Sequence, residues 1–165
     1  MRLQVALNVL LLTFLFSCKS KTAYEYSQQI VQIETQLSAA IAIADKKVSK
    51  FLQSQQNDSA IMITRQMEEL ADDKLKEVQR LDAPDVEGGD NFKKAAVRYF
   101  SYLKSIYTSF KKFTMATTDE AKEAERRKLV RIVNDKEEAT EALQAAQQKF
   151  AAANNFRIEK VNRKN

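Results

Sequence analysis

The side chains able to do chemistry are few in kind, and one kind is missing: the chain has no His and a single Cys, Cys18. Without imidazole, Ser-His-Asp triads, histidine-ligated haem and the carboxylate-histidine di-iron sites of helical bundles are all excluded. What remains is the Cys18 thiol, lysine amines, carboxylates and aromatic rings. A lone thiol is a nucleophile once deprotonated, and it cannot form an internal disulfide. Lys74 and Lys136 fall on apolar stripes, where an amine in a hollow bundle could hold or attack a substrate. A lysine so placed ordinarily lies at the edge of its stripe and sends its ammonium to water. The carboxylates lack the His three positions after a Glu that bridged-metal bundles use, and pairs such as Glu123 with Arg127 read as surface ion pairs. Tyr24, Tyr26, Tyr99, Phe100, Tyr102, Tyr107, Phe110 and Phe113 recur at helical spacing and read as core. Tyr102 and Tyr107 fall off the strict seam and are the candidates for an exposed aromatic patch. No Gly-rich phosphate loop is present. The sequence assigns no catalytic residue, cofactor site or metal site.

Cys18 gains meaning from what precedes it. Met1 and Arg2 form a short positive region, and residues 3–16 are an apolar run broken only by Gln4, Asn8 and Thr13. That run is short for a membrane span and has the length of a signal-peptide core. It ends in Leu15-Phe16-Ser17-Cys18, which resembles the lipobox of bacterial lipoproteins: an apolar residue three before the cysteine and a small one directly before it. The resemblance implies cleavage before Cys18, a diacylglyceryl group on its thiol and an acylated new amine. Two or more acyl chains make a durable anchor, since each buried methylene contributes about 0.8 kcal/mol. The expected parts are a signal peptide at 1–17, a lipidated polar tether at 18–22, a helical body at 23–155 and a basic polar tail at 156–165.

The body must then be helical. Hydrophobic residues make up 44% of the chain and charged ones 30%, with only two Gly and one Pro, so strand and turn punctuation is nearly absent. Tyr26, Ile30, Ile33, Leu37, Ile41, Ala44, Val48 and Phe51 recur every three or four residues and define the first helix. The pattern fades near Gln53-Ser54-Gln55-Gln56, where either a turn capped by Asn57 or Asp58 or a bend in one helix fits. Ala60, Ile63, Met67, Leu70, Val78 and Leu81 define the second, which ends before Pro84. Asp82 to Asn91 holds the single Pro and both Gly residues, a loop with Asp90 as the expected cap of the third helix. That helix has the cleanest seam, Phe92, Ala96, Tyr99, Leu103, Ile106, Phe110 and Phe113, in heptad steps. Thr117 or Thr118 starts a fourth, carrying Leu129, Ile132, Ala139, Leu143, Ala146 and Phe150. Short connections force antiparallel neighbours, and the expected fold is an all-α, up-down-up-down four-helix bundle.

The net charge of +5, lowered by one if Arg2 is removed, is spread over mixed-sign helical surfaces and argues against nucleic acid as a partner. The expected topology returns the chain end to the anchored end of the bundle. Lys19, Lys21, Arg157, Lys160, Arg163 and Lys164 are then candidate contacts for lipid headgroups, unless the tail pairs instead with Asp82, Asp85, Glu87 and Asp90.

Together with the lipobox, several stretches carry a wider resemblance: Ala23-Tyr24-Glu25-Tyr26 into Gln29-Ile30-Val31, Asp82-Ala83-Pro84 before Asn91-Phe92-Lys93-Lys94-Ala95-Ala96, and Phe150-Ala151 before Asn155-Phe156. The chain resembles a family of small helical lipoproteins of Bacteroidetes and leptospires, described as surface proteins of unknown function. The resemblance implies fold and location and transfers no functional residue. Surface export in Bacteroidetes-type lipoproteins goes with acidic residues after the cysteine, whereas Lys19-Ser20-Lys21-Thr22 follow here, so the anchor faces either the periplasm or the outside. The expected role is non-enzymatic: binding an envelope partner, or a structural task, through helical faces. The alternatives are a small-ligand carrier with an aromatic-lined pocket in the bundle, and a His-free enzyme.

Overall fold

The computed structural model describes residues 2–158, with side chains from 20 onward. Its elements are α1 (Arg2–Gln53), α2 (Asn57–Arg80), α3 (Gly89–Met115), α4 (Asp119–Asn134) and α5 (Lys136–Ala153), with no strand among the described residues. α4 and α5 together form the fourth leg of an all-α, four-helix bundle in which α2 packs between α1 and α3, and α3 between α2 and the fourth leg. Residues 20–22, expected in a tether, already belong to α1.

The helix ends explain the connections. α1 stops because Gln55 takes the left-handed conformation, φ 58°. Its amide and that of Gln56 then return to the carbonyls of Leu52 and Phe51, a Schellman closure that makes α1 and α2 separate helices. The cap position of α2 is Gln56, with no side-chain cap. Asn57 and Asp58 are therefore first-turn residues, and the Asp58 charge still favours the helix amino end. At the other end of the bundle Gly88 (φ 79°) is the cap position of α3, one place ahead of Gly89 and two ahead of Asp90, which sits in the first turn. Both glycines are required there. Gly88 is left-handed, and a Cβ on Gly89 would fall 2.5 Å from the Pro84 carbonyl oxygen. Thr118 caps α4, its side chain accepting from the Ala121 amide at 3.2 Å.

The fourth leg departs from the expected single helix. It breaks at Asp135 (φ −80°, ψ 1°), whose amide closes onto Ile132 at 3.1 Å. Asn134-Asp135 is a pair that competes with helical backbone bonding, which makes it a natural breaking point. The stripe position expected for Lys136 thus falls at a helix start, and its side chain is exposed.

The core is strongest at the end carrying the α2–α3 loop. There Phe92 and Phe150 stack with ring centroids 5.2 Å apart, and Tyr26 meets both edge-on at 6.0 and 6.1 Å. The middle is filled by Ile33, Leu37, Leu75, Tyr99, Phe100 and Leu103. Body and tail divide later than expected. Asn155 (φ 56°) forms a second Schellman closure, Phe156 to the Ala151 carbonyl at 3.1 Å. This turns the Phe156 ring onto Phe150 (5.7 Å) and Tyr24 (5.8 Å). Asn154 pins the same corner by donating to the carbonyls of Glu87 at 2.9 Å and Phe150 at 2.8 Å.

Toward the α1–α2 turn the packing thins. α4 rests on α3 and carries no buried residue, while Val130 and Val133 are 48% and 46% exposed.

Candidate functional site

The expected aromatic patch is not exposed. Tyr107 is 5% exposed and Tyr102 half-buried, with its hydroxyl enclosed and without a hydrogen-bond partner. A helix with neighbours on both flanks buries a wider face than one heptad seam, which is why residues just off the seam are covered. Tyr107 instead donates to Asp45 Oδ1 across the bundle at 3.4 Å. Burial pushes the Asp45 carboxyl above its ordinary range, opposed by the Tyr107 hydrogen bond and the Lys136 charge. The Tyr107 hydroxyl is pushed well above the usual phenol range by burial, then by the Asp45 charge and hydrogen bond. Tyr26, buried near Asp90, is pushed up to about 12.

A second diagonal link joins α1 to α3: the buried Glu34 accepts from Tyr99 and from Ser38, each at 3.4 Å. Neither link was legible beforehand, though Glu34 and Asp45 do each flank a stripe residue of α1, Ile33 and Ala44.

The other sequence candidates divide by position. Lys74 lies at the edge of its stripe, where it donates to Gln36 on α1 at 2.7 Å and pairs with Glu77 at 2.8 Å. Glu123 is an exposed surface anion, paired with Arg126 at 2.6 Å and Arg127 at 3.4 Å. Lys21 is exposed and 3.8 Å from Glu25, and Arg157 is exposed. The Tyr24–Phe156 contact brings the start of the described bundle and its end to one place. The side chains of Cys18 and Lys19, and Lys160, Arg163 and Lys164, lie outside the described residues.

Charge also sets register. Lys104 reaches Asp72 at 2.6 Å and Lys111 pairs with Glu68, two antiparallel rungs between α2 and α3, while Lys76 meets the same Asp72 from within α2 at 2.7 Å. The Lys104 and Lys76 hydrogen bonds hold the Asp72 carboxyl below its ordinary range. For Glu68, burial pushes upward, but the Lys111 and Thr108 hydrogen bonds and the lysine charges outweigh it and the net shift is down.

Two concavities among the described residues are open surface grooves. One, about 590 Å³, runs between α2 and the end of α3 past Met62, Arg65 and Met115. The other, about 470 Å³, lies at the α4–α5 break past Val133, Lys136 and Thr140. Neither is lined by an aromatic ring, and neither includes the Asp45–Tyr107 pair. Among the described residues no group of three or more acidic or thiol side chains could hold a metal ion, and no helix is long and apolar enough to cross a membrane. Compared with protein families, with curated proteins and with solved structures, the chain matches none of them.

Proposed function

We propose that this chain is a lipoprotein of the bacterial cell envelope, anchored through acyl chains on Cys18, whose bundle serves a binding or structural role through its helical faces. The observation that carries the anchor is the order of residues from Arg2 to Cys18: a positive start, an apolar run of signal-peptide length, and Leu15-Phe16-Ser17-Cys18. The binding role draws support from the exposed apolar side chains Ile43, Leu52, Met62, Met115, Val130 and Val133. A small-ligand carrier would instead call for an aromatic-lined pocket, and the rings meet one another in the core.

The anchor and the partner are tested separately. In cells expressing the parent and Cys18→Ser chains, an alkyne-bearing fatty acid should label the parent alone. A Cys18→Ser chain that is labelled and processed like the parent overturns the anchor. Crosslinking in intact cells should capture a defined envelope partner, and loss of that product on Val130→Asp with Val133→Asp would tie it to the far end of the bundle. Headgroup contact by Lys19, Lys21, Arg157, Lys160, Arg163 and Lys164 is part of the same reading, supported by the Tyr24–Phe156 contact. It requires salt-sensitive association with anionic vesicles that weakens when residues 159–165 are removed.

A further inference from the structure

The α4 helix differs from every other leg in how it is held. α3 offers two flanks. On one, Lys104 and Lys111 meet Asp72 and Glu68 of α2. On the other, Arg98 meets Glu138 of α5 at 2.8 Å, and Tyr102 lies close enough to Asp135 to feel its charge. Ile106, Ser109 and Phe113 follow Tyr102 in steps of four, three and four, so they continue the second flank upward to where α4 lies. Ser109 is 1% exposed there, and Ile106 and Phe113 are half-buried.

α4 lies along that flank, but its own side chains hold it poorly. α4 itself buries no residue fully, so it lacks the side chains that each contribute about 1.5–3 kcal/mol when removed from water. The Tyr102 hydroxyl is enclosed without a hydrogen-bond partner, and the enclosed Glu125 Oε2 on α4 is met at a long 3.9 Å by Lys128 of the same helix. An enclosed unpaired hydroxyl and a loosely paired carboxylate make the closed state costly, and opening returns them to water. Both ends of α4 are breaks: the extended Ala116 and Thr118 at one, Asp135 at the other.

We infer that α4 is a lid, hinged at Asp135 and at residues 116–118, that opens as a unit from α3 and uncovers the face carrying Ile106, Ser109 and Phe113. Opening would expose a helical face while the aromatic core at the opposite end stays closed, because Phe92, Phe150 and Phe156 hold α5 independently of α4. The inference stands whether or not Cys18 is acylated.

Thiol labelling of the folded full chain tests it. Ser109→Cys sits under the lid, and Thr64→Cys is equally buried in α2 toward the same end of the bundle, both parent residues being 1% exposed. Lid opening makes the first react at least about tenfold faster than the second, since local opening needs less free energy than global unfolding. Mass analysis counts Cys18 separately in either form. Equal rates at the two positions overturn the lid. Amide exchange of the unsubstituted chain supplies the second readout: α4 amides should exchange faster than those of α3 and α5, and Glu125→Leu should slow α4 alone. Exchange of α4 in step with α3 would overturn the inference without any substituted protein.

Discussion

Phe150 on α5 stacks on Phe92 on α3 with ring centroids 5.2 Å apart, and the two rings, each about 1% exposed, close the loop end of the bundle. Phe150 also backs Gly88, whose missing Cβ would stand 3.6 Å from its ring, so one side chain joins the last helix to the loop that starts α3. Phe150→Ala should cost about 3–5 kcal/mol in denaturant unfolding. Val130→Ala, at an exposed site on α4, should stay within about 0.5 kcal/mol. Comparable losses at both positions would contradict the uneven core.

The α3 seam gives a graded series. Leu103 is 7% exposed and Ile106 only half-buried, so Leu103→Ala should cost about 2–5 kcal/mol and Ile106→Ala clearly less. Lys104→Ala removes a part-exposed ion pair with Asp72 and should cost about 0.2–1 kcal/mol. Equal effects at the three sites would remove the packing order derived for this helix.

The α1–α2 turn holds a non-glycine residue where glycine is favoured. Gln55 adopts φ 58° and its side chain is exposed. Gln55→Gly should raise stability by up to about 1 kcal/mol, the relief of left-handed strain being partly offset by greater freedom of the unfolded chain. A loss of stability there would mean that the Schellman closure is misassigned.

Acid should act in opposite directions at two places. The carboxyls of Glu68 and Asp72 are held below their ordinary range, so the fold gains from them above the unfolded value and loses that gain as pH falls through the folded one. Asp45 is raised by burial, so its contribution is present below the unfolded value and is lost as pH rises through the folded one. Asp45→Asn keeps an acceptor for Tyr107 and should raise the melting temperature at neutral pH, with the advantage over the parent shrinking in acid. The reverse pH trend would contradict the burial of this carboxylate.

How much of this could be read beforehand follows from what periodicity encodes. Phe92, Ala96, Tyr99 and Leu103 share a seam at helical spacing, and all four are buried, because a leg wedged between two neighbours must bury that face. The same seam continues to Ile106, Phe110 and Phe113, which are only half-buried, because the packing thins toward the end of the bundle where α4 contributes no buried residue. Periodicity also misplaces flank residues such as Tyr107, whose burial depends on which neighbours arrive. The break at Asp135 carries neither Gly nor Pro and interrupts a stripe that otherwise runs on. Phe156 reads as the start of a polar tail until the left-handed Asn155 turns it back onto Phe150. The proposed lipobox is of a different kind, a reading of residues 15–18 as a processing signal whose meaning would lie in covalent chemistry rather than in packing.

That chemistry gives the most direct test of the account. The intact mass of the protein extracted from membranes should correspond to a chain beginning at Cys18 and carrying a diacylglyceryl group, with or without a further acyl chain on its amine. Alkaline hydrolysis should remove the ester-linked acyl chains and lower that mass accordingly. A mass matching the unmodified chain from Met1, or a cleaved chain with an unmodified Cys18, would contradict the lipid anchor.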